Sequence, residues 1–145
     1  MAEIRIGGAG RETLLVDVIA RERPQATDSE DGNWLQAVVQ VHVGGFDGRT
    51  AGALRAEEFV IFRDELAALH HSLRGTATLR TMEGWLTIQM AGDGRGHIEL
   101  SGQLHDRPGS ANRLVFRLEV DQTHLPHVLA GLDDVVTRFR ARRSD

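Results

Sequence analysis

The sequence predicts an α+β domain: a mostly antiparallel β-sheet of about six or seven strands with two α-helices packed on one face. Three observations lead there. Apolar and polar residues alternate, with the period of a strand, in a series of separate segments. Two longer segments switch to the three-and-four spacing of an amphipathic helix. The connections late in the chain are short and rich in Gly, Pro, Asn and Asp, which makes antiparallel hairpins rather than parallel crossovers.

In chain order, Glu3 to Ile6 reads as a short strand. Thr13 to Arg21 is a longer one, with Leu14, Val16, Val18 and Ala20 on one face; Pro24 follows and cannot continue a ladder. Gln25 to Asn33, "QATDSEDGN", is polar and acidic without an apolar anchor, so it is expected to be a mobile surface loop. Trp34 to Val43 has the strongest alternation, with Leu35, Ala37, Val39, Val41 and Val43 inward. Phe46 to Leu54 is placed beyond a Gly-Gly break as its partner.

Ala56 to Leu73 carries Phe59, Phe62, Leu66, Leu69 and Leu73 at helical spacing. Glu57 and Glu58 suit the positive end of its dipole, His70, His71 and Arg74 suit the other end, and Gly75 supplies a stop. Four strands follow, at Thr76 to Thr81, Trp85 to Ala91, His97 to Asp106 and Asn112 to Val120. A second helix spans Leu125 to Phe139, with Thr123 as its expected N-cap, which puts Pro126 in the first turn where no intrahelical bond is lost.

At 145 residues the chain is expected to be a single domain over 1–145. A chain of this size buries about 68–70% of its unfolded surface and needs no staple. It has no cysteine, no apolar run near the ~20 residues of a membrane span and no signal-like start, so a cytoplasmic protein is expected. All 17 basic residues are arginines, and the net charge is −4, which argues against nucleic acid as a partner. Without Cys, Lys or Tyr the chain has no thiolate nucleophile, Schiff-base amine, phosphate-loop lysine or phenolic acid.

The chemistry-bearing candidates are few. In "GHIELSGQLHD", Gly96 to Asp106, the row of His97, Glu99, Ser101, Gln103 and His105 faces away from Ile98, Leu100 and Leu104. His97 and Glu99 stand about 6.6 Å apart on a strand, close enough to share a metal, with His42 or Glu119 as further ligands from neighbouring strands; His105, roughly 26 Å from His97, is out of reach. No spaced ligand motif supports a metal, so this row is read as a solvated sheet face, with no cofactor and no catalytic set. "GGAGRET", Gly7 to Thr13, lacks the helix that a phosphate-cradling loop requires and is read as a hairpin turn. His70 and His71 diverge by ~100° on a helix and form no metal pair. "RFRARRSD", Arg138 to Asp145, reads as a basic helix end and a frayed tail. By alternation Trp34 and Trp85 fall on the outward face with Leu15, Ile19, Val38 and Val115, which reads either as a partner surface or as a patch that a curled sheet or covering loops enclose.

The residue order, with Asp31, Asn33, Trp34 and Leu35 as "D-x-N-W-L", a helix opened by "EEF", and "D-Q-T-H-L" before the last helix, resembles the WapI family of immunity proteins from about Thr13 to Phe139. The resemblance implies a small cytoplasmic, non-enzymatic protein that binds and neutralises a bacterial toxin. The outward face supports a protein partner docking at Trp34 and Trp85, with Asp28, Glu30 and Asp31 as an acidic rim and His97 and Glu99 nearby. Two other readings stay open: a small-ligand binder or enzyme using the polar concave sheet face, with His42, His97 and Glu99 in its mouth, and a structural subunit whose patch is a homodimer interface.

Overall fold

The computed structural model describes residues 2–8 and 12–143. The order of elements is β1 (Ala2–Gly7), β2 (Thr13–Arg21), β3 (Trp34–Val43), β4 (Phe46–Arg55), α1 (Ala56–Ser72), β5 (Arg74–Arg80), β6 (Leu86–Asp93), β7 (His97–His105), β8 (Arg113–Asp121), a 3₁₀ turn at Gln122–His124, and α2 (Leu125–Arg138). The fold is α+β and every strand pairing is antiparallel. The strands form two sheets of four, β1-β2-β3-β4 and β5-β6-β7-β8, where the sequence predicts one sheet of about six or seven strands. The reason lies in α1. Seventeen residues of helix separate β4 from β5, so the hairpin chain breaks there and the second half starts a new sheet.

The helices do not lie side by side on one sheet face. α1 packs mainly along β5, α2 mainly along β1, and the helices touch each other, so together they bridge one edge of each sheet. Gly131 lets α2 come close to β1: a Cβ there would stand 2.9 Å from the carbonyl oxygen of Glu3. The inward rows of both sheets and both helices make one hydrophobic cluster. In it Val16, Val39, Val41, Ile88, Leu100, Phe116 and Leu118 of the strands join Phe59, Phe62, Leu66 and Leu69 of α1 and Leu125, Val128 and Leu132 of α2. Leu129, Val136 and Phe139 pack at its margin.

Local corrections follow from backbone chemistry. The second helix takes no cap from Thr123. Asp121 accepts the Thr123 N–H at 2.8 Å and caps the 3₁₀ turn, and His124 stands at the start of α2 with Pro126 in its first turn. Helix α1 ends at Leu73, which itself takes the left-handed conformation (φ 62°), rather than at Gly75. A bulge between Val18 and Ala20 takes Ala20 out of simple alternation.

Trp85 is the largest correction. It is 1% exposed, not outward. Strand β6 begins at Leu86, so Trp85 belongs to the preceding turn and strand alternation does not govern it. Its indole lies on Gly52 of β4, where an added Cβ would meet the ring at 2.4 Å, and its Nε1–H donates to the Ala53 carbonyl at 2.7 Å. The side chain therefore ties the start of the second sheet to the last strand of the first. Trp85→Ala is expected to cost about 3–5 kcal/mol in urea unfolding, through lost contacts and an unfilled cavity. A loss under about 1 kcal/mol would contradict this placement.

Candidate binding surface

Trp34 opens β3 on the outward face of the first sheet and is half-buried. It is the cross-strand partner of Arg55, whose guanidinium carbon lies 5.9 Å from the ring centroid. The Arg55 Nη2 group also donates to the Ser29 carbonyl at 2.9 Å and bridges Glu57 at 2.7 Å. One arginine thus joins the tryptophan, the acidic loop and the start of α1. The Arg55 N–H donates to Glu58 at 2.5 Å, and burial, its largest influence, raises the Glu58 carboxyl above its ordinary range.

The loop carrying Asp28, Glu30 and Asp31 is tied down, contrary to the mobile segment expected. Asn33, 1% exposed, forms a two-way pair with Arg142: its Nδ2 donates to the Arg142 carbonyl at 2.9 Å and its Oδ1 accepts the Arg142 N–H at 2.6 Å. Its carbonyl accepts the Ala56 N–H at 2.8 Å. The Arg142 guanidinium donates to the carbonyls of Pro24 and Ala26. Arg21 donates to the carbonyls of Gly32 and Arg140, and burial followed by the Arg142 charge lowers its pKa. The segment 140–143 is therefore a strap across the loop rather than a frayed tail; Ser144 and Asp145 lie outside the described residues. Asp31 pairs with Arg23 at 3.2 Å, which offsets part of the loop's acidity.

The second sheet presents the polar row of Gly96 to Asp106 on β7. His97 Nε2 lies 3.5 Å from Glu119, and Arg117 bridges Glu99 at 2.6 Å. His42, proposed as a further metal ligand, belongs to the other sheet and pairs with Asp47 at 2.6 Å. Among the described residues no group of three or more His, Cys, Asp or Glu is placed to hold a metal ion. The middle of this face, with Thr78, Arg80, Thr87, Gln89, Ser101 and Gln103, is an open hollow. Trp34 and Trp85 share no pocket with it, since Trp85 packs on the inward side of β4 and Trp34 faces outward. The sites expected at Trp34, Asp28, Glu30 and Asp31 thus come together, while His97 and Glu99 sit on a different sheet. Of Gly7 to Thr13, residues 9–11 lie outside the described residues; the flanking β1 and β2 pair antiparallel, as a hairpin requires.

A family model for the immunity protein WapI-like family matches residues 5–140, nearly the whole chain. The chain belongs to the WapI-like immunity protein family. A search of curated proteins finds no match. The two segments that resemble WapI proteins both have structural roles here. In the first, Asn33 pairs with the C-terminal strap and Leu35 is buried. In the second, Asp121 caps the turn, Leu125 is buried, and His124 Nε2 accepts the Gly7 N–H at 3.1 Å. No helix is long and apolar enough to cross a membrane among the described residues.

Three residues of this surface escape the sequence reading. Arg21 and Arg142 look like solvated charges until the fold sets them beside backbone carbonyls. Asp17 sits among Leu15, Ile19 and Val38, an acid within an apolar row, and that break in pattern is its only signal.

His124 sets a pH dependence. Burial first, then the His127 charge, lowers its pKa from the ordinary 6.5, and its role as an acceptor from Gly7 requires a neutral ring. The stability it contributes is present above pH 6.5 and is lost as pH falls from there toward the depressed folded value, because the unfolded chain then binds the extra proton. Asp17 and Glu58, raised in the folded state, act with the opposite sign, so the variant must be compared with the wild type. His124→Gln, which keeps an acceptor but does not titrate, should flatten the acid-side fall in melting temperature. An unchanged fall would show that His124 is not its source.

Proposed function

We propose that this chain is a non-enzymatic binding protein that neutralises a cognate bacterial toxin by direct contact. The observation that carries the proposal is the family match across residues 5–140. The geometry supports a docking role: the first sheet keeps its outward face uncovered, with Trp34 at one end beside the clamped acidic loop. A rigid, preorganised edge loses little freedom on docking. Such a protein acts where a toxin would otherwise reach its target, and the compartment that follows from this reading is the cytoplasm.

The docking surface we propose centres on Trp34, with Asp28, Glu30 and Asp31 at the rim. Trp85 has no part in it, being enclosed in the core. His97 and Glu99 would enter only if the partner also reached the second sheet.

The test is co-expression with toxin domains, beginning with any encoded next to this chain's gene. Growth should be restored for one of them, and that purified pair should elute as a complex. Failure of both rescue and complex formation would overturn the proposal. Trp34→Ala should weaken the complex by about 2 kcal/mol while leaving the chain folded, read by calorimetry beside a thermal melt. Unchanged affinity in the folded variant would remove Trp34 from the surface.

A further inference from the structure

Among the described residues, the outward face of the first sheet sets more acid than base around one point. Glu3 of β1 and Asp17 of β2 are direct cross-strand partners, two like charges set opposite each other, which sheets normally avoid. Arg5 is the one arginine among the described residues that serves the pair, and it bridges Glu3 at 3.3 Å. One Asp17 carboxylate oxygen, Oδ1, is enclosed and has no hydrogen-bond partner among the described residues. Burial, and then the Glu3 charge, raises the Asp17 pKa. Arg49, on the same row as Arg5, stands on β4 beyond Leu15 and Gln40.

The surroundings are apolar. Leu15 and Ile19 flank Asp17 along β2, and Val38 is its partner on β3. Val38 faces Ala51 on β4, and with Ile19 and Ala53 these residues line a shallow hollow that carries Glu22 on its rim. The small side chains of Ala51 and Ala53 keep its floor low. Ile19 is 41% exposed, and Gln36 and Glu22 share the hollow with it. An acid ringed by aliphatic groups, with further carboxylates beside it, matches one kind of occupant: a long cationic side chain, whose methylene stem lies on apolar surface while its head meets the carboxylate.

We infer that Asp17, with Ile19, Val38 and Ala51, forms a receptor site for a lysine or arginine side chain of the protein partner. The inference rests on the toxin-binding reading and names where, and through what chemistry, the partner is held. The local cost of Asp17 in the free chain, a carboxylate facing the like charge of Glu3 across the strands, is what the incoming cation relieves.

An inactivated copy of a toxin domain whose growth inhibition this chain relieves in co-expression is titrated by calorimetry into the wild type and into Asp17→Asn, Ile19→Ser and Gln103→Ala. The wild type is expected to bind, Asp17→Asn to bind at least about tenfold more weakly with a flatter salt dependence, and Ile19→Ser to bind several-fold more weakly. Gln103→Ala, on the outward face of the other sheet, should stay within about twofold. Asp17→Asn should melt at or above the wild-type temperature, since the amide removes the repulsion with Glu3. Wild-type binding that Asp17→Asn leaves undiminished overturns the site and spares the proposed function. No binding by the wild type overturns both. An Asp17→Asn variant that loses binding in step with its melting temperature shows a merely structural residue and also overturns the site.

Discussion

The contact of the Trp85 indole with Gly52 is the constraint on which the rest of the molecule depends. Each four-stranded sheet has one apolar face, and neither can stay folded with that face wet. Trp85 joins them at the end of β4 and the start of β6, filling space that only a glycine leaves free and satisfying its own N–H on the Ala53 carbonyl. The helices close the open edges at β1 and β5. Because the inward faces are used up in this way, the outward face of the first sheet is left to present side chains.

A second, polar constraint fixes the edge of that face. Asn33 satisfies its amide on the backbone of Arg142 and its carbonyl on Ala56, so the loop, the C-terminal strap and the start of α1 are held at one point. Arg21, Arg55 and Arg142 fill loop carbonyls that would otherwise turn to water. The effect on function is indirect. Trp34 follows Asn33 in the chain and contacts Arg55 across the strands, so the ring is oriented by the same cluster that holds the acidic residues.

Much of this was legible in the sequence, and the misses have physical causes. Period alone placed β2, β3 and both helices, because each buries one face against a single core. It also put Leu35, Val39, Val41, Ile88 and Leu100 inside. Period could not say whether β4 pairs with β5: inward residues look the same in one sheet or two, and only the helix between them decides. Trp85 was misread because alternation was extended one residue past the start of a strand. The loop and tail were misread because polar residues report solvent or backbone pairing alike, and the partners of Asn33 and Arg21 lie more than a hundred residues away in sequence. Within the candidate site, Trp34 and the acidic loop were visible as an outward aromatic and a charge run. Asp17 was visible only as a break in an apolar row, and its meaning required the register that sets it opposite Glu3.

The two tryptophans differ in placement: Trp85 is internal, and Trp34 stands on the face proposed to meet the partner. Their separation can be measured directly by fluorine NMR on the chain labelled with 5-fluorotryptophan, with the two resonances assigned through Trp34→Phe. On addition of the inactivated toxin domain, the Trp34 resonance should shift while that of Trp85 stays in place. A shift at Trp85 with Trp34 unmoved would contradict the account.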